Sequence, residues 1–344
     1  MMERTVEARL DIIRNGVKAG ELEAISTPVI LMNSAAQIKL SLRAEVKKHS
    51  DFNALSDEIR PVLILDGVEH TCGVFLPATF TENVVSTLDT FNIEAYDRSW
   101  RIDTTLWLPS QKIASGTNYM DAIEQLLLAA GISLVLKTPS AAVIDTDRTW
   151  EAGTSYLSII NELLAEINYE EIWFDNNGFA RLSPFVRASA ENIAHVLDGS
   201  DVRSMILPEY TDELDIYDAA NVFICVVSSP DREEALVSTA VNDNPESPLS
   251  VQRRGRRIQR YIKINDIASQ EELDAYAQRI CWESMAFGET LRLSTALKPG
   301  WGVNDVVALH VDDHSGIFLS SGWQMELAAG GTMSHTLRRV VFQI

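Results

Sequence analysis

Ile38-Lys39-Leu40-Ser41-Leu42-Arg43-Ala44-Glu45-Val46-Lys47 puts an apolar residue at every second position and a polar or charged one between. A period of two belongs to a strand with one face on a core and the other in water, because successive side chains point to opposite sides. Upstream, Val6, Ala8, Leu10 and Ile12 alternate in the same way with Glu7, Arg9 and Asp11, and Asn15-Gly16 then turns the chain. Asn-Gly supplies the two positive φ angles of a tight hairpin. Downstream, residues 62–65 meet a second apolar segment across Asp66-Gly67. The first hundred residues are therefore predicted to be mostly antiparallel sheet.

The period changes after Pro109. Asn118 is placed to cap a helix whose Met120, Ile123, Leu126, Leu127 and Ala130 share one face before Gly131 closes it. Thr154 or Ser155 opens a second helix with Leu157, Ile160, Leu164 and Ile167 as its stripe. Residues 171–174 and 179–182 then form a hairpin about Asn176-Asn177-Gly178. This segment, residues 106–205, reads as a separate helical α/β insert.

Beyond it, residues 222–227 are apolar on both faces, as in a strand buried between layers. Val241-Asn242-Asp243-Asn244-Pro245-Glu246-Ser247-Pro248 has two prolines and no period, and is expected to be an exposed, mobile loop. Ser269 and Glu272 make a capping box for a third helix with Leu273, Tyr276, Ala277 and Ile280 inward, ending near Gly288. Sheet resumes at Leu291, Leu293, Thr295 and Leu297, up to Pro299-Gly300. Residues 306–311 and 317–319 flank an Asp-His-Ser-Gly turn, and residues 340–344 are expected to end the chain as a strand. The plan is α+β: β regions at 1–105 and 206–344, the second carrying one helix, with the insert between them.

At 344 residues the chain exceeds what one core usually serves, and 46% hydrophobic content is enough to fold without staples. Cys72, Cys225 and Cys281 are isolated and odd in number, which suggests neither a disulfide framework nor a zinc site; they read as small buried hydrophobes. No stretch has the roughly 18 apolar residues of a membrane span, and the charged start does not resemble a signal core, so cytoplasmic assembly is expected. A net charge of −20 repels phosphate backbones and argues against specific nucleic-acid binding. It would suit a surface past which DNA slides.

Few residues suggest chemistry. His310, Asp312, Asp313 and His314 offer metal donors about one turn, although Asp-Asp-His-Ser-Gly is also ordinary hairpin composition. Asp212, Glu213, Asp215 and Asp218 are paired carboxylates of the kind glycoside hydrolysis requires, with nothing to indicate opposed geometry. Asp175-Asn176-Asn177-Gly178 lacks the downstream glutamate of a calcium loop and reads as a turn. No phosphate-binding glycine loop, nucleophile elbow or His-Glu-x-x-His occurs. No cofactor, metal or catalytic residue is assigned, and the chain is read as a non-enzyme. Arg253, Arg254, Arg256, Arg257 and Arg260 concentrate positive charge in an acidic chain and are assigned as a partner interface, docking on an acidic patch of a neighbouring subunit. Seven tryptophans could stack on a glycan, but most sit within apolar patterns.

Three segments together resemble a known family. Phe91-Asn92-Ile93-Glu94-Ala95-Tyr96-Asp97-Arg98 is similar to the strand ending in Ala-Tyr-Asp that closes its first β domain. Residues 118–132 and 153–184 resemble its insert: a helix ending in Gly-Ile, then a Leu-x-x-Ile-x-x-Leu-Leu helix leading to a Phe-Asp-x-x-Gly hairpin. The helix of residues 269–288, Pro299-Gly300-Trp301 and Asn304-Asp305-Val306-Val307 resemble its step into the last barrel, with Asn304 where the family usually has Gly. Cys72-Gly73-Val74-Phe75 partly matches its Phe-x-Gly-x-Val strand. The family is the baseplate hub and tail proteins of contractile phages, tailocins and phage-like elements. The resemblance implies two antiparallel β-barrel-like domains about the insert, and a homotrimer whose barrels form a pseudo-sixfold ring in the baseplate. That ring would adapt a tail tube or tube-initiator protein to a spike, with baseplate wedge proteins around it. No segment is left over for a wall-degrading domain. A tail-tip or distal tail protein of a non-contractile phage, or a glycan-binding or glycan-hydrolysing cell-wall protein, are the other readings.

Overall fold

The computed structural model describes residues 4–85, 88–201, 204–213, 219–227, 235–264, 267, 269–286, 289–311 and 314–340. Its first part is a run of strands: β1 (Val6–Arg14), β2 (Val17–Leu22), β3 (Val29–Asn33), β4 (Leu40–Lys47), β5 (Glu58–Leu65), β6 (Val68–Thr71), β7 (Phe75–Val85) and β8 (Leu88–Asp97). Asn15 and Gly16, at φ 52° and 78°, and Asp66 and Gly67, at 50° and 80°, make the two predicted tight turns. In β4 the alternation is exact to the residue, with Leu40, Leu42, Ala44 and Val46 all buried.

A short helix α1 (Ser99–Asp103) leads to α2 (Tyr119–Ala129), β9 (Val135–Lys137), α3 (Tyr156–Glu166), β10 (Trp173–Phe174) and β11 (Ala180–Leu182). Asn118 caps α2 by accepting from the Met120 amide, and Ser155 caps α3 by accepting from Ser158. Each cap is worth about 1 kcal/mol. Both predicted apolar stripes are buried in one core, which also takes in Trp107, Tyr119, Tyr169 and Phe174.

The remainder comprises β12 (Ile193–Asp198), β13 (Ile206–Glu213), β14 (Val222–Val227), β15 (Leu236–Val241), α4 (Val251–Arg254), β16 (Gln259–Ile264), α5 (Gln270–Ala286), β17 (Thr290–Ala296), β18 (Val306–Val311), β19 (His314–Glu326) and β20 (Thr332–Arg339). The fold is a sheet-rich α+β, but the two β regions are not two separate closed barrels. β3 pairs antiparallel with β19, from Gly322↔Asn33 to Glu326↔Val29, and joins both regions into one 14-stranded sheet with free ends at β13 and β2. Their side chains share one core, from Leu10 and Phe75 to Trp323 and Leu337. Apart from it, β15, β14 and β16 form a three-stranded sheet under α5 with its own core of Phe223, Cys225, Leu273, Ala277 and Cys281.

One expectation needs correction. The segment at 241–248 is exposed only in part: Asp243, Pro245, Glu246 and Pro248 face solvent, but Asn242, Asn244 and Ser247 are buried. Asn242 Nδ2 donates to Ser247 Oγ at 2.9 Å, and Asn221 Nδ2 donates to the carbonyls of Leu249 and Arg256. Side-chain amides here satisfy the backbone that a patternless, proline-broken segment leaves unpaired. The last described strand is β20; the strand expected at 340–344 lies, Val340 apart, outside the described residues.

Candidate assembly interface

Three parts of the chain are fixed to one another by the turn at Asp175–Gly178. The Asp175 carboxylate accepts from the amides of Asn177 and Phe179 and shapes the turn. The Asn176 carbonyl accepts from Gly73, its side-chain amide donates to the Trp301 carbonyl, and Thr71 donates to Asn177. Arg98 donates to the Gly178 carbonyl at 2.8 Å while its other nitrogens hold Glu58. The insert is thereby tied to both β regions, and the turn is structural.

Trp301 stacks on His195 at 4.0 Å between centroids and packs against His335 at 4.3 Å. Asp305 meets His195 Nε2 at 2.9 Å and accepts from the Gly302 amide, and Trp323 donates to the Gly302 carbonyl. This knot anchors β12 beside β18, with which it pairs in parallel. Asn304 adopts φ 57°, the left-handed conformation that glycine takes most easily and asparagine tolerates. Burial pushes the His335 imidazole down to about 3, so it is neutral at physiological pH.

Between the insert, the β3–β4 turn, α5 and strands β19 and β20 lies a cavity of about 210 Å³ that reaches Lys39, Glu170, Arg279, Glu283 and Arg338. Lys39, 4% exposed, bonds Glu171 at 2.6 Å and the Ser34 carbonyl. Burial raises the Glu170 carboxyl to about 7, against the attraction of Arg279 and Lys39. A second buried carboxyl, Glu166, is also raised to about 7 by burial. It is gripped by Arg148 at 2.7 Å and accepts from the Tyr119 hydroxyl.

The arginine run lies on α4, the turn after it and the start of β16. Arg253, Arg256, Arg257 and Arg260 are exposed and Arg254 is half-buried. Arg253 Nε donates to the Pro245 carbonyl and Arg254 to that of Ala219, so these two also hold local backbone. Gly255, at φ 64°, ends α4 and leads Arg256 and Arg257 on to β16. Strand β13 is the opposite in charge: Glu209, Asp212 and Glu213 are exposed on it, and Glu213 pairs with Arg292. The reading of exposed residues missed this strand, because its sequence has no inward face to give a period.

Of the suggested metal donors, Asp312 and Asp313 lie outside the described residues, as do Asp215 and Asp218. His314 instead meets Asp212 and Glu289, with donor atoms within 4.8 Å of one another, a set able to hold a cation. Arg339 already occupies Glu289 at 2.7 Å. The three thiols are buried and raised by desolvation, Cys72 to about 12 and the other two to about 11, which leaves them protonated and inert. Trp107, Trp282, Trp301 and Trp323 are buried, and so unavailable for stacking on a glycan.

No family model and no curated protein matches this sequence. Solved structures do. The tail protein from Neisseria meningitidis MC58 superposes with a TM-score of 0.68 at 13% identity, over 97% of each chain. A 43 kDa tail protein of prophage MuSo2 from Shewanella oneidensis gives 0.68 at 11% identity, over 97% of this chain and 98% of its own. An Escherichia coli component of the type VI secretion system, described as similar to the T4 bacteriophage tail proteins gp27 and gp5, gives 0.54 at 9% identity, over 96% of this chain and 77% of its own. The fold of the chain is the one these tail proteins have.

Proposed function

We propose, from a fold shared with phage and prophage tail proteins, that this chain is a structural component of a phage tail or phage-like contractile injection machine, seated in the baseplate as its hub. The observation that carries the reading is the superposition on two tail proteins over 97% of this chain, insert included. Fold alone leaves function open. The reading draws further support from the three sequence segments above and from a net charge of −20, which suits a channel wall that cargo does not adhere to.

In this role the chain is a homotrimer. Its two β regions, 1–105 and 206–344, act as barrel-like ring segments, and 106–205 is a peripheral insert. Its partners are a tail tube or tube-initiator protein on one side, a spike on the other and wedge proteins around it. Its work is done by interface burial, not catalysis. A tail-tip protein of a sheathless phage would use the same fold, and the presence of a sheath separates the two. Immunogold labelling of intact particles tests the assignment. Label confined to the baseplate end supports it, and label along the tail shaft or absent from particles contradicts it.

A further inference from the structure

Two of the edge strands, β13 and β16, carry opposite charge. β13 ends the large sheet, pairs with β17 on one side only, and has no strand on its other edge among the described residues. Every residue of β13 from Leu207 to Glu213 is exposed, so the strand buries almost nothing in its own fold. Its side chains include Glu209, Asp212 and Glu213, with Leu207 and Tyr210 each 40% exposed. β16 ends the three-stranded sheet, pairs in parallel with β14, and is likewise open on its outer edge among the described residues. Gln259, Arg260, Tyr261 and Lys263 are exposed on it, Tyr261 at 65%, and Arg256 and Arg257 lead into it.

An open edge offers a row of unpaired N–H and C=O groups, and proteins usually guard such edges with charge. Guarding alone needs only one sign. Here the signs are opposed, so a β13–β13 or β16–β16 contact brings like charges together and is disfavoured, while β13 against β16 brings acid to base. The lengths correspond, eight residues against six. We propose that β13 of one copy docks edge to edge on β16 of a second copy, with the arginine run flanking the acidic strand. Because the two patches differ, the contact can repeat head to tail from copy to copy, and it closes into a ring where the rotation between copies is a whole fraction of a turn. The inference rests on the ring reading above and supplies the contact that closes it.

The test uses the full chain and light-scattering mass over a concentration series. Arg257→Glu/Arg260→Glu cancels the net positive charge of residues 256–263, where Arg256 and Lys263 remain, and Glu209→Arg/Asp212→Arg turns the β13 edge basic. Each double variant is expected to weaken association by roughly tenfold or more, and the four changes together, which set new basic groups on β13 against new acidic ones at 257 and 260, are expected to restore part of it. Raising salt from about 0.05 to about 0.5 M should weaken the wild type as well. The neutral changes Arg257→Gln/Arg260→Gln and Glu209→Gln, with circular dichroism on every variant, separate lost docking from lost folding. Double variants that associate like the wild type overturn the β13–β16 contact and leave the ring reading standing. A wild type of one-chain mass at every concentration overturns both.

Discussion

Gly178→Ala tests whether the Asp175–Gly178 turn holds the insert against the first β region. Gly178 has φ 78°, and a Cβ there would lie 2.9 Å from Val74 Cγ2 and 3.1 Å from Arg98 Nη1. Gly116, in the same insert, has φ 82° with nothing within 4 Å of an added Cβ, so Gly116→Ala supplies the backbone cost alone. That shared cost is about 1–2 kcal/mol. Gly178→Ala adds overpacking against Val74, about 1–3 kcal/mol, and strains the Arg98 bond to the Gly178 carbonyl, a charged bond of the kind worth about 1.5–3 kcal/mol. Its excess over Gly116→Ala should be about 2 kcal/mol or more, which lowers the melting midpoint by a further ~3 °C or more when the 344 residues unfold as one unit. Scanning calorimetry with tryptophan fluorescence reads both variants. Equal midpoints would falsify the claim that this turn bears on the first β region.

Other residues give independent checks. Arg148→Ala should cost about 3–5 kcal/mol, because it leaves the Glu166 carboxyl buried without its cation; thermal unfolding at pH 8 should show a larger loss than at pH 6, where protonation relieves the charge. Glu170 is raised in the folded state from 4.5 to about 7 by burial, with Glu283 and Asp305 adding to the rise and Arg279 and Lys39 opposing it. The folded form therefore holds a proton that the unfolded form has lost between those values, and stability falls as pH rises through that window. Glu170→Gln should gain on the wild type from about pH 4.5 to about pH 7 and then hold a constant lead; denaturant titrations showing a flat difference would count against it. Asn304→Gly should stay within about 0.5 kcal/mol of the wild type, whereas Asn304→Val should lose about 1–2 kcal/mol at a positive φ of 57°, and denaturant midpoints decide between them.

Strands with one wet face were legible in the sequence. β1 was legible as a strand but not in its faces, since Asp11 is buried and Ala8 exposed, whereas the alternation in β4 and the turns at Asn15-Gly16 and Asp66-Gly67 needed no tertiary information. The same holds for Asn118, Ser155 and Ser269, whose caps depend on neighbours a few residues away. Elements that depend on distant partners were not legible. β12 is held by β18, more than a hundred residues on, and by the His195–Asp305 contact. β20 interleaves buried Met333, His335 and Leu337 with polar residues, and the buried histidine hides the pattern. At 241–248 Asn244 and Ser247 read as solvent-facing but are buried and accept from the backbone amides of Glu246 and Leu249, which composition cannot distinguish. The β3–β19 join is set by register between strands at opposite ends of the chain, and no local signal encodes it. Of the candidate interface, the arginine run stood out by its charge, whereas β13 did not, because a strand exposed on both faces has no apolar period.

Light-scattering mass on the purified chain, carried to high concentration and paired with negative-stain imaging, bears most directly on the assembly role. The account predicts closed rings with the mass of three 38.2 kDa chains and six lobes seen down the axis. A particle of one-chain mass at every concentration, with no rings on the grid, would contradict it.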